Sequence, residues 1–194
     1  QAFRAHYEGL GAMVDTLLLV TQNTPIDEVK RKINEADAVY VSGGNTYMMM
    51  ETWRKMGVDV LLRQAYERGT VMSGLSAGSI CWFRYGVSNS FYTGEPFRVD
   101  GLNWHNFVVC PHYDQEPFRQ DALKNELKQL PGTIGLALDE HSAIEIVNDT
   151  YRTHITRPGS SVKKCYWKDD EYVVQALPVG EKYRSLETLM GEQT

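Results

Sequence analysis

Cysteine is scarce in this chain. Cys81, Cys110 and Cys165 are odd in number and stand in no C-x-x-C spacing, which excludes a dense disulfide framework and speaks against a zinc site. They read as small buried apolar residues in a reducing cytosol. Long hydrophobic runs are missing too. The longest, Thr16 to Val20 and Ala36 to Val41, are strand length and far short of the ~20 residues a bilayer span needs. Positive charge is also in short supply. With 20 Lys and Arg against 25 Asp and Glu the net charge is −5, so neither nucleic acid nor an anionic membrane is expected as the main partner. Asp169-Asp170-Glu171 has no third ligand at calcium-loop spacing, so it reads as a turn and no metal is expected. There are no internal repeats and no low-complexity segment. The chain opens on Gln1 rather than Met, inside a stretch with Phe3, Tyr7, Leu10 and Val14 at helical spacing and no signal-peptide pattern. A helix beginning at residue one suggests that something precedes it in the native polypeptide.

What is present suits one domain over 1–194, long enough to bury a core without staples. The hydrophobic period alternates between 2 and 3.6, the pattern of an α/β fold. Thr16 to Val20 reads as a buried strand. Thr24-Pro25-Ile26-Asp27 then supplies an N-cap, a proline at the first helical position and an acid in the first turn, with Ile26, Val29 and Ile33 on the inner face. Ala38 to Val41 is a strand closing on Ser42-Gly43-Gly44-Asn45. The next helix turns Met48, Met49, Trp53 and Met56 inward and stops at Gly57. Val60 to Arg68 is helical up to Gly69. Thr70 to Met72 and Asn106 to Cys110 are strands, Phe118 to Leu130 is an amphipathic helix, and Ile134 to Leu138 is a strand ending in Asp139-Glu140-His141. Four strand-like runs follow from Ala143 to Leu177. Asn148-Asp149, Pro158-Gly159 and Asp169-Asp170 between them read as hairpin turns.

Gly74-Leu75-Ser76-Ala77-Gly78 is a G-x-S-x-G pentapeptide between a β-prone run and the apolar run Ile80-Cys81-Trp82-Phe83. Strand, Gly-flanked turn and helix is the setting that holds a serine on a strained turn with its hydroxyl outward. An ordinary tight turn would also explain the glycines. What favours chemistry is position, since ligands of an open α/β sheet bind beyond the carboxyl ends of its strands. Gly43-Gly44-Asn45, Ser76, His112 and Glu140 all fall at such ends. Serine needs a base to take its proton, and the base needs a third group to fix its tautomer. Ser76, His112 and Glu140 can fill these roles, with Asp139 competing for the acid and His154 for the base. The N–H groups of Gly43, Gly44 and Ala77 can form an oxyanion hole.

Together, Gly43-Gly44-Asn45-Thr46, the pentapeptide with Ile80 to Phe83, and Pro111-His112-Tyr113 resemble peptidase E, the α-aspartyl dipeptidase. Its serine-peptidase family includes cyanophycinase. The resemblance covers nearly the whole chain and is nearest to the peptidase E-like proteins of Gram-positive bacteria. It implies a class I glutamine amidotransferase-like fold, a mostly parallel doubly wound sheet flanked by helices with C-terminal antiparallel hairpins. It also implies Ser76 as nucleophile, His112 as base, an acid on Ala137 to Glu140, oxyanion donors from Gly44 and Ala77, and no metal or organic cofactor. The expected activity is cytoplasmic hydrolysis of a small peptide, with a homo-oligomer left open. The order Ser, His, acid departs from α/β-hydrolases, where the acid precedes the histidine. An esterase of that kind, with His154 as base, and a non-catalytic ligand sensor are the competing readings. Members of the family begin with a strand before the helix found at Gln1, so a longer native polypeptide is expected. Aspartyl specificity asks for a cation facing the substrate carboxylate, and Arg119, Arg98 and Arg84 are candidates by position.

Overall fold

The computed structural model describes residues 2–22, 24–90 and 97–190. In chain order the elements are α1 Ala2–Gly9, α2 Ile26–Glu35, β1 Ala38–Val41, α3 Thr46–Met56, α4 Val58–Glu67, β2 Val71–Gly74, α5 Ala77–Ile80, β3 Phe83–Ser88 and β4 Phe97–Asp100. They continue as β5 His105–Cys110, α6 Pro117–Gln129, β6 Ile134–Leu138, β7 Ser142–Val147, β8 Thr150–Ile155, β9 Val162–Lys168, β10 Glu171–Ala176, β11 Arg184–Ser185 and α7 Glu187–Met190. Two compact units divide the chain, Gln1–Val39 with Glu51–Met72 and Tyr40–Met50 with Ser73–Thr194.

In the first unit α2 packs against α4, burying Val29 and Ile33 from one helix and Val58, Leu62 and Ala65 from the other. Ile26, expected on this inner face, is exposed at the start of α2. Thr24 does not cap the helix either, since its hydroxyl donates to Leu18 O at 3.0 Å and Pro25 occupies the cap position. The chain leaves α4 through Gly69, whose φ of +97° is the left-handed exit that glycine adopts without strain. Thr16 to Val20 is not a strand. Leu18 and Val20 are exposed, and the Thr16 carbonyl takes Lys32 Nζ at 2.8 Å. A strand needs a second backbone about 4.8 Å away to satisfy its polar groups, and no described strand pairs with this run.

The second unit contains a six-stranded sheet in the order β10-β9-β6-β5-β3-β4. Its middle, β6-β5-β3, is parallel, and β4, β9 and β10 add antiparallel edges. Every residue of β6 and Phe107 to Cys110 of β5 are buried, the near-continuous apolar run of strands covered on both faces. Leu123 and Leu127 of α6 pack into Val87, Val108, Cys110, Tyr113, Ala137 and Cys165. Each such leucine contributes about 1.5–3 kcal/mol by leaving water. Phe118, expected on the same face, is exposed. The α/β class, the flanking helices and the antiparallel C-terminal strands are as expected from the sequence.

β1 and β2 form a separate two-stranded sheet. The third sheet, β11-β8-β7, is antiparallel. Asn148-Asp149 closes the β7–β8 hairpin, and Asp169-Asp170 closes β9–β10 with both residues at positive φ. Pro158-Gly159 is not a hairpin turn. It carries the chain from β8 in one sheet to β9 in another, so the two strands never pair. In α3, Trp53 is buried and Met49 and Met56 are half-buried as expected, but Met48 is exposed and Met50 takes the buried place.

Candidate active site

The pentapeptide turn is a forced close approach. A Cβ on Gly74 would lie 2.2 Å from Gly78 O, and one on Gly78 would lie 2.0 Å from Val41 O. No side chain fits at either place, so both glycines are required by the crossing of β1. Between them Ser76 takes φ 56° and ψ −115°, a conformation an L-residue holds only where its surroundings impose it. The helix that follows is a single turn. Gly78, Ser79 and Ile80 send their N–H groups to Leu75 O and Ser76 O, and the chain then enters β3 at Phe83. The helix ends at Ile80, whose side chain fills the space that a Cβ on Gly86 of β3 would need, 2.3 Å away.

Gly43 follows β1 and lies directly against this serine, where an added Cβ would be 3.2 Å from Ser76 Cβ and 3.7 Å from Oγ. Gly44, at φ +154°, has open space on its side-chain side. Asn45 is spent on structure. Its Oδ1 accepts the Met48 N–H at 2.9 Å in the manner of an N-cap, and its Nδ2 donates to Ser90 O at 2.7 Å. Ala77 is the first residue of α5, where helical N–H groups have no partner within the helix.

His112 follows β5 through Pro111 and sits at φ 57°. Its Nδ1 meets Glu140 Oε1. The two loops that carry this pair are bonded together, with Tyr113 N–H on Leu138 O at 3.0 Å and Glu140 N–H on Asp114 Oδ1 at 2.7 Å. Of the two competing acids, Glu140 meets His112 and Asp139 is engaged elsewhere. Asp139 is buried, and its Oδ2 takes the Ser161 N–H, the Ser161 hydroxyl and Lys163 Nζ. His112 and Glu140 are both partly open to solvent. Ser76 Oγ and His112 share no direct hydrogen bond here, and such bonds commonly tighten only when substrate is present.

The remaining candidates are placed elsewhere. Arg119 is 4% exposed; Nη1 donates to Val87 O at 3.1 Å and Nε meets Glu116 Oε2. It clamps α6 to the end of β3 and offers no open guanidinium to a substrate, which corrects its expected binding role. Arg98 Nη1 is on Glu126 and Arg84 Nη1 on Asn106. His154 lies on β8 and meets Glu145 Oε2 at 2.8 Å. Glu145 also accepts from Arg152 and Tyr183, and these bonds, Arg152 first, bring its carboxyl down to about 2. This cluster fastens the strands rather than serving Ser76. Among the described residues no three His, Cys, Asp or Glu side chains are grouped to hold a metal ion.

Sequence reasoning passed over Asp114 and Arg157. Asp114 Oδ2 accepts from Arg157 Nη2 at 3.0 Å and from Gln115 Nε2 at 3.0 Å, while Oδ1 holds Glu140. Burial opposes its charge, yet the Glu140 N–H, Gln115 and Arg157 together keep the carboxyl below the usual aspartate range. An aspartate two residues after the histidine was the available signal, although two of its three partners lie 26 and 43 residues away.

The curated protein set contains the uncharacterized peptidase YgaJ of Bacillus subtilis strain 168, 33% identical over 156 residues, which are 80% of this chain and 67% of that protein. It also contains a peptidase E of Shewanella denitrificans, 30% identical over 102 residues, 52% of this chain and 43% of that one. The chain thus spans about two thirds or less of the relatives it matches. Among solved structures, a peptidase from an acI-B1 Actinobacterium superposes with a TM-score of 0.70 at 20% identity, covering 94% of this chain and 73% of that one. The profile of Peptidase family S51 matches residues 1–154. The chain belongs to peptidase family S51.

Proposed function

We propose that this chain is a serine-type peptidase that cleaves small peptides through an acyl-enzyme, a cytosolic dipeptidase preferring N-terminal aspartate. Glu140 is an acceptor on Nδ1 of His112, so the ring carries its proton there and turns a basic Nε2 outward. Nε2 takes the Ser76 proton as Oγ bonds to the peptide carbonyl carbon. The oxyanion is received by the N–H groups of Gly44 and Ala77, each such donor being worth ~2.7–4 kcal/mol in the transition state. His112 then gives its proton to the leaving amine as the C–N bond breaks. Water, deprotonated by His112, adds to the ester carbon; the bond from that carbon to Ser76 Oγ breaks, His112 returns the proton to Oγ, and the carboxylic acid departs.

The observation that carries this reading is the His112–Glu140 pair, held in the same unit as a serine whose backbone is strained. The preference for aspartate draws on the relatives called peptidase E. The test is turnover of an Asp-Xaa dipeptide panel by the wild type and Ser76→Ala. Loss of turnover in the variant is expected, and full retention contradicts the reading. Cleavage of other N-terminal residues in preference to aspartate contradicts the specificity alone.

A further inference from the structure

We propose that Asp114 is a positioning residue for the acid–base pair, setting Glu140 against His112 through the Glu140 backbone. The inference rests on the serine-peptidase reading for its chemistry and on separate geometry for its placement. Glu140 lies in the link between β6 and β7, which turns back on itself through Ser142 N–H and Oγ bonding Asp139 O. Its carboxylate is partly open to water and, among the described residues, has one protein partner, Nδ1 of His112. A solvated carboxylate on a flexible stem needs its backbone fixed if it is to stay on one ring nitrogen. Asp114 supplies that fixture. Oδ1 receives the peptide N–H of Glu140 itself at 2.7 Å, and Asp114 stands two residues after the histidine that Glu140 must meet.

Asp114 is itself held. Arg157 and Gln115 both donate to Oδ2, and Arg157 comes from the loop between β8 and β9, its Nε donating to Ser160 Oγ at 3.3 Å. Next to it, Ser161 binds Asp139, the residue before Glu140, through both N–H and hydroxyl. The peptide between Asp139 and Glu140 is therefore held by Asp114 at its N–H and by Ser142 at its carbonyl, with Arg157 and Ser161 bracing the side chains of Asp114 and Asp139. A charge-assisted bond to a backbone N–H is roughly twice as strong as a neutral one, so the carboxylate is the fitting group at 114.

The experiment is a double-mutant cycle read two ways, by the rate of labelling with a fluorophosphonate and by the ¹⁵N shifts of the His112 ring, which report its tautomer. Asp114→Ala is expected to slow labelling about tenfold to a hundredfold, the scale of a misplaced supporting group. It should also move the ring from the Nδ1–H form toward a mixture. Asp114→Asn keeps an oxygen without the charge and should fall between wild type and alanine in both readouts. In a Glu140→Gln background neither change at 114 should slow labelling further, because Asp114 acts through Glu140. Wild-type labelling and ring shifts in Asp114→Ala would overturn the proposal, as would a loss that adds in full to Glu140→Gln. If the alanine variant fails to fold, Asp114→Asn decides: a loss confined to the Glu140 background supports the role, and no loss or a persistent one overturns it. The ring shifts require no turnover. A tautomer that responds to Asp114 in a protein that never labels would sink the peptidase reading and leave the positioning intact.

Discussion

At the scale of single residues, the pentapeptide forms a strained turn with no space at its outer glycines. Its outer glycines leave no room for a Cβ beside Val41 O and Gly78 O. Gly78→Ala is therefore expected to cost about 1–3 kcal/mol or more by overpacking, seen as a lower denaturant midpoint with the slope unchanged. Equal stability would mean that β1 and the turn are farther apart than described. Arg119 is the opposite case. A cation seven residues past His112 looked like a substrate ligand, but nothing local in the sequence announces the carbonyl of Val87 as its partner. Arg119→Ala should leave that carbonyl unpaired and lower stability by about 1–3 kcal/mol. The variant's KM for any cleaved dipeptide should stay near wild type. A raised KM at unchanged stability would restore the subsite role. Asp114 was missed for the same reason, since long-range hydrogen bonds leave no periodic trace.

At the scale of elements, buried β6, the buried run Phe107 to Cys110 of β5 and the helices α2, α4 and α6 were legible from their apolar runs and faces, although Ile26 and Phe118 at the helix starts are exposed. Thr16 to Val20 was misread because composition reports a capacity for burial and says nothing of a partner strand. The Met48-Met49-Met50 run offers apolar residues at every step, so period alone could not choose among them; the inward position fell to Met50, four residues after buried Thr46. β3 and β4 gave no clear signal, with Arg84, Tyr85 and Gly86 breaking the alternation. The three-stranded sheet carries its own testable contact. Glu145 on β7 binds Arg152 and His154 of β8 and Tyr183 near β11, and its carboxyl is depressed to about 2. A carboxyl lower in the folded than in the unfolded state adds stability above its unfolded pKa, near 4.3, and loses it as pH falls toward 2. Glu145→Gln should flatten the fall in unfolding free energy across that window, measured by denaturant titration at each pH. An unchanged slope would show that the cluster is not formed in solution.

At the scale of the whole molecule, three thiols and no cysteine motif led to an expectation of inert buried residues, and Cys81, Cys110 and Cys165 are all fully buried. Burial pushes the Cys110 thiol up to about 12 and Cys165 to about 11, with Cys81 also raised well above its ordinary value. At pH 8 the native protein should resist Ellman's reagent and release three equivalents only in denaturant; fast native reaction would contradict this burial. The buried thiols thus do not compete with the serine proposed as nucleophile. The central claim is that Ser76 is that activated serine, made so by His112 and Glu140. The most direct measurement is intact mass and peptide mapping after treatment with a fluorophosphonate. The account predicts a single adduct on the peptide containing Ser76, lost in Ser76→Ala and strongly slowed in His112→Ala. No adduct, or one on another residue while peptide hydrolysis persists, would contradict it.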